Sequence, residues 1–208
     1  MTRIRRRGRG IRPTQLSLFD ADLARPEPAH LEGLLVGPGQ VVRMGGTARV
    51  SVLVTQSWRA EALLSEFNAR GLGGEAVPSP AVEGTLTVRT PFKTALGPLA
   101  QRWLQGALKA PPAGLTLDGP RLRLWAIAAG VADGHGYLLA LGQSDTHMWD
   151  LVGDLLAAVG LPAQLLGPRA GGPAYRIVGS RRLARLGELV GRPPIQAPPG
   201  VWPREGTP

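Results

Sequence analysis

Residues 31–39 read Leu-Glu-Gly-Leu-Leu-Val-Gly-Pro-Gly, and residues 128–136 read Ala-Ala-Gly-Val-Ala-Asp-Gly-His-Gly. Both place glycine at the third, seventh and ninth positions. A helix C-cap accounts for the last glycine of each stretch but not for the one six residues earlier. Each stretch heads nearly the same succession of elements. After the first come strand patterns at 40–44 and 47–55, joined by Gly45-Gly46 as a hairpin turn. In the second of these, Ala48, Val50, Val52 and Val54 point one way and Arg49, Ser51 and Leu53 the other, as in a half-buried strand. Ser57 is placed to cap a helix in which Trp58, Leu63, Leu64 and Phe67 form the apolar side. Short strands are expected at 75–77 and 85–90, then a helix over 92–105 with Leu96, Leu99, Trp103 and Leu104 inward. Residues 107–117 hold two prolines and a glycine and read as a linker.

Asp118 and Pro120 then fit the N-cap and first turn of a new helix. A strand at Gly136-Tyr-Leu-Leu-Ala-Leu, a helix over 146–159, strands at 163–166 and 174–178 and a helix over 180–190 follow. The succession implies an internal duplication. Residues 1–27 form an arm, 28–106 a first unit, 118–191 a second, and 192–208 a proline-rich tail expected as a strap or a free end.

The two nonapeptides resemble the LAGLIDADG motif of the homing endonucleases, and the αββαββα order around them is that family's order. The resemblance spans residues 28–191. It implies an α+β fold of two tandem units related by a pseudo-twofold axis, with antiparallel sheets forming a concave saddle over DNA. In that family the two motif helices pack on each other, and close backbone approach demands small residues on the shared face. Gly33 and Gly37, and Gly130 and Gly134, are the residues expected to supply it, at i, i+4 spacing.

The resemblance also locates a departure. Active members carry an acid at the eighth motif position of each copy, and the pair holds divalent metal over the scissile phosphates, a task for hard anionic oxygen. Here those positions read as Pro38 and His135. Proline offers no side-chain ligand and imidazole suits magnesium poorly. The expectation is a chain that is not an enzyme, with no metal and no cofactor. Counting from Gly136, the second unit has room for one strand where the first has a hairpin, so its saddle is expected to be short.

For DNA binding, the outer face of the first sheet is expected to carry Arg49, Ser51, Thr85, Thr87 and Arg89, joined by Arg43. In the second unit Tyr175 and Ile177 read as core-facing, which turns Arg176 outward. Such a polar, cationic strand face suits phosphate contacts, although solvated sheet faces are common. Charge favours DNA. The net charge is +9 over 208 residues, and Arg3, Arg5, Arg6, Arg7, Arg9 and Arg12 concentrate six of those charges in an arm with no acid. Of the 24 basic residues only Lys93 and Lys109 are lysine. Nucleic acid is the first candidate for the arm and an anionic membrane the second.

Gln15-Leu16-Ser17-Leu18-Phe19 resembles the peptide by which bacterial polymerases and repair proteins dock on the replicative sliding clamp. Gln15 would make polar contacts, and Leu16, Leu18 and Phe19 would fill an apolar pocket. The other reading packs these residues back on the first unit.

The absence of cysteine excludes disulfides and thiolate zinc sites. No stretch has the length and apolarity of a membrane span or a signal peptide. The expectation is a cytoplasmic, nucleoid-associated monomer that binds double-stranded DNA without cutting it. Two rivals remain: an active endonuclease whose metal is held by Glu32, Asp133 or Asp145, and a protein-interaction scaffold.

Overall fold

The computed structural model of the chain describes residues 24–203. Its first unit opens with a 3-10 turn, Pro28–Leu31, running into α1 (Glu32–Val36). A hairpin follows, β1 (Gln40–Met44) and β2 (Thr47–Val54), then α2 (Ser57–Ala69), β3 (Glu75–Pro78), β4 (Leu86–Arg89) and α3 (Gly97–Trp103). A short hairpin, β5 (Leu104–Gln105) and β6 (Leu108–Lys109), leads to the second unit. That unit contains α4 (Gly119–Ala129), β7 (Gly130–Ala132), β8 (Tyr137–Ala140), α5 (Trp149–Ala158), β9 (Gln164–Leu166), β10 (Ala174–Ile177) and α6 (Ser180–Val190).

The two main sheets are antiparallel and share one topology, β1-β2-β4-β3 in the first and β7-β8-β10-β9 in the second. The αββαββα succession therefore occurs twice, and the fold class is the expected α+β tandem.

Local sequence explains most boundaries. The alternation in β2 buries Ala48, Val50, Val52 and Val54 and leaves the intervening residues outward. Gln56 has extended backbone and is the N-cap of α2, one residue before the expected Ser57. Its side-chain carbonyl accepts from Trp58 Nε1 at 3.1 Å and Arg59 Nε at 2.7 Å. Asp118 caps α4 by accepting from the Arg121 N–H at 2.9 Å, and Pro120 sits in the first turn. The helix expected from residue 92 begins at Gly97, after a 3-10 turn, because Lys93 is still bonded to the sheet opposite Ala48. Residues 107–117 are more than a connector, since they contain β6 and bury Leu115 and Leu117.

The core is continuous across both units. Trp103, Phe67 and Leu34 join Trp125, Leu122 and Tyr137 in one buried cluster. α1 packs against α4, and α4 also packs against α2 and α6. Glu66 of α2 lies 2.7 Å from Arg123 of α4 and 2.6 Å from Arg70. Burial works to raise the Glu66 carboxyl, but Arg123 and Arg70 outweigh it and hold the group below its ordinary value. The tail returns to the body: Trp202 is buried, and its Nε1 donates to the Gly191 carbonyl at 2.8 Å. Among the described residues no helix is long and apolar enough to cross a membrane.

The helix pair corrects the placement of the second nonapeptide. Gly33 and Gly37 do lie at the α1–α4 contact. A Cβ on Gly33 would fall 1.9 Å from the Arg121 carbonyl oxygen, and one on Gly37 would fall 2.6 Å from the Trp125 ring. The facing segment of α4 is thus residues 121–125, not the glycines read from the sequence. Gly130 begins β7 and packs against the Tyr137 hydroxyl, 2.2 Å from where its Cβ would be. Gly134 has φ +78° and open space around it, so it serves the turn between β7 and β8. The helix ends at Ala129, which leaves room for a full hairpin where a single strand was expected. The second sheet accordingly has four strands.

Candidate nucleic-acid interface

Strand register decides which side chains share the outer face of the first sheet. Arg49 pairs with Val42, Ser51 with Gln40 and Arg89, and Leu53 with Thr87, so all of these lie on one side. Arg43 pairs with the buried Ala48 and is therefore on the opposite side, where it lines a surface recess with Gly45, Gly46, Thr94, Gly97, Pro98 and Gln101. Its expected place on the outer face is corrected by this two-residue periodicity. Thr85 precedes β4 and donates its hydroxyl to the Val82 carbonyl at 2.7 Å, closing the turn between β3 and β4.

The outer cations differ in their surroundings. Arg49 lies over the Phe92 ring at 4.3 Å and has no carboxylate partner among the described residues. Arg89 is 2.8 Å from Glu75 on the neighbouring strand. Val42, Met44 and Leu53 are exposed beside them. On the second sheet Arg176 shares its face with Leu138, Val131 and Gln164, while Tyr175 and Ile177 are buried beneath. Arg176 is tied to Asp133 at 2.7 Å. Slight burial works to raise the Asp133 carboxyl but is outweighed by the His135 N–H and Arg176, which hold it below its ordinary value. The arm arginines, Arg3 to Arg12, and the segment Gln15, Leu16, Leu18 and Phe19 lie outside the described residues.

The ends of the motif helices make a second site. α1 runs into Gly37-Pro38-Gly39 and α4 into Ala128-Ala129-Gly130. His135 is in the exposed turn after β7, so the residue at the end of α4 is alanine rather than the expected histidine. A divalent ion of the kind the resemblance implies does not fit here, because both helix ends are occupied by cationic side chains. Arg59 of α2 donates to the carbonyls of Ala126, Ile127 and Gly130 at 3.2, 2.6 and 2.6 Å. Lys109 of β6 donates to the carbonyls of Gly37 and Gly39 at 3.1 and 2.9 Å, and its ammonium is 2.6 Å from Asp145 Oδ2. Burial lowers both cations from their ordinary values, with Asp145 opposing the shift at Lys109.

The three acids considered as displaced metal ligands do not come together. Glu32 is enclosed by Arg121, Arg102 and Trp103, Asp133 by Arg176, and Asp145 by Lys109. Among the described residues no group of three or more His, Asp or Glu side chains is placed to hold a metal. The sequence reading missed Arg59 and Lys109 altogether. One signal was present: Lys109 is one of only two lysines in a chain whose other cations are arginine.

No protein-family model matches the chain, and no curated protein matches it. Among solved structures it is similar to the homing endonuclease I-WcaI bound to its DNA recognition sequence, with 13% identity, a TM-score of 0.58 and 81% of each chain covered. The homing endonuclease I-DmoI in complex with DNA and Mn is also matched, at 13% identity and a TM-score of 0.43, over 79% of this chain and 96% of that one. The likeness to I-WcaI corrects the expectation that the chain is not an enzyme: this arrangement of helices and sheets is used by an endonuclease. The chain has the fold of a homing endonuclease, with an αββαββα unit carried twice in tandem.

Proposed function

We propose that the chain is a double-stranded DNA-binding protein of endonuclease type that reads duplex along the outer faces of its two sheets. The observation that carries this is the register-aligned group Arg49, Ser51, Thr87 and Arg89, half-buried on the outer strand face, in a fold whose neighbour is a homing endonuclease bound to its DNA recognition sequence. A guanidinium and small hydroxyls on adjacent strands suit phosphate contacts, and the Arg-rich arm adds sequence-independent attraction. The two fused units satisfy the helix pairing within one chain, which supports a monomer.

Fluorescence anisotropy with duplex DNA at low salt tests the reading. Arg49→Ala should weaken binding several-fold and reduce the slope of log affinity against log salt by about 0.9, the contribution of one phosphate contact. No binding at micromolar protein in low salt would overturn the reading and leave an interaction scaffold.

A second reading, a DNA endonuclease, is favoured by the nuclease identity of the same neighbour. Incubation with a randomised plasmid library and magnesium or manganese tests it. Reproducible double-strand breaks would establish it, and an intact library would confine the chain to binding.

The arm supports one finer assignment, docking of residues 13–21 on a bacterial sliding clamp. Its basis is the Gln15-Leu16-Ser17-Leu18-Phe19 match directly after a cationic run. Contact with the clamp and with the duplex threading it would raise the effective concentration of both. Replacing Leu18 and Phe19 together by Ala should abolish clamp binding in a titration with the intact protein while leaving duplex affinity unchanged, because neither residue is charged. Clamp binding that is absent, or unchanged by the substitutions, would return these residues to a packing role.

A further inference from the structure

Lys109 is only 5% exposed, and its ammonium meets three oxygens at hydrogen-bonding distance. Two are main-chain carbonyls, Gly37 and Gly39 at the end of α1, and the third is the Asp145 carboxylate. The surrounding loop is shaped around that carboxylate: a Cβ on Gly142 would fall 1.9 Å from Asp145 Oδ2. The strand that presents Lys109 is held as well, since His147 Nε2 is 2.8 Å from the Lys109 carbonyl oxygen. Burying an ammonium is costly unless it is paired, and here two carbonyls accept from it while the Asp145 carboxylate stands 2.6 Å away as its counter-charge. The partners form a hard oxygen set with one negative charge. Divalent cations of the calcium and manganese type select that set, and the ammonium already stands at its centre.

We propose that Lys109 is a built-in cation filling a hard-oxygen niche between α1 and the loop before α5, so that the intact protein takes no divalent ion there, and that removing the ammonium converts the niche into a divalent-cation site formed by Asp145 and the carbonyls of Gly37 and Gly39. The same principle operates at the end of α4, where Arg59 occupies three carbonyls. The inference concerns the inter-unit contact and does not rest on DNA binding.

The test is thermal unfolding of the full chain in EDTA and in millimolar magnesium, calcium or manganese, with manganese followed by electron paramagnetic resonance. Any response of the wild-type midpoint to these ions should be the same with and without Asp145→Ala, because an ion that does not bind the niche cannot stabilise the fold through it. Lys109→Ala should melt about 6–15 °C lower in EDTA, the effect of uncovering one member of a buried ion pair in a chain of this size. Calcium or manganese should restore part of that loss, and bound manganese should be seen in this variant and lost from Lys109→Ala combined with Asp145→Ala. Lys109→Met, which fills the space without charge, should melt low and stay low. If Lys109→Ala folds only when calcium is present, that equally supports the proposal. A wild-type midpoint raised by a divalent ion, and no longer raised in Asp145→Ala, would overturn it. So would manganese bound to wild type and lost on Asp145→Ala, or a Lys109→Ala variant indifferent to metal or unfolded with and without it.

Discussion

Gly33→Ala should lower the stability of the chain by about 3–5 kcal/mol and its melting midpoint by about 6–15 °C, as measured by calorimetry or circular dichroism. The reason is backbone on backbone. The new methyl would lie 1.9 Å from the Arg121 carbonyl oxygen, 2.6 Å from its carbon and 2.8 Å from its Cα. A side chain could rotate away, but the peptide of α4 cannot, so the helix pair must separate by more than an ångström. Gly37 is a milder case, since its Cβ would meet the Trp125 ring at 2.6 Å rather than backbone. Gly134→Ala is the informative control. Its φ of +78° strains any alanine, but the position is open, so the cost should stay near 1 kcal/mol. The two glycines looked equivalent in the sequence. Equal losses from the two substitutions would sink the assignment of the helix contact to Gly33 and return Gly134 to it.

The duplication was legible because it rests on local patterns. Alternation in β2, the Gly45-Gly46 turn, the Asp118 cap and the apolar side of α2 each depend on neighbours within a few residues. The second motif was placed too late for a local reason as well: glycines needed for the turn between β7 and β8 repeat the spacing of glycines needed for helix contact. Nothing within the nonapeptide separates the two uses, and only the partner helix does. That error also hid the hairpin, since the residues available for it were counted from Gly136 rather than from Ala129. Arg43 was a different kind of miss. In β1 it shares parity with the buried Val41, so period-two reading alone puts it off the outer face. The helix-end site was beyond local reading. Arg59 reaches carbonyls 67 to 71 residues away, and Lys109 reaches others 70 and 72 residues away.

Glu32 belongs to that long-range chemistry, and its replacement should be as damaging as that of Gly33. The carboxylate is 1% exposed, and both oxygens are used. Oε1 accepts from Trp103 Nε1 at 3.2 Å and faces Arg102 at 3.2 Å, and Oε2 takes Arg121 Nε at 2.9 Å with its second nitrogen at 2.8 Å. Arg121 lies on the face of α4 against which Gly33 packs, so the ion pair and the close backbone contact clamp the same two helices. Glu32→Ala would leave the Arg121 guanidinium, mostly buried, with Asp118 as its remaining carboxylate, and would strand the Trp103 N–H. Stability should fall by about 3–5 kcal/mol, the usual cost of removing one partner from a buried pair. Glu32→Gln keeps an acceptor for Trp103 and should lose less. A double-mutant cycle with Arg121→Met should give a coupling of about 0.5–3 kcal/mol, because the two side chains touch. The result also separates two roles for this acid. A residue that bolts the helices together moves the melting midpoint, whereas an acid serving strand cleavage alone would leave the midpoint in place and remove breaks from a plasmid assay. A Glu32→Ala protein as stable as wild type would therefore overturn the clamp assignment.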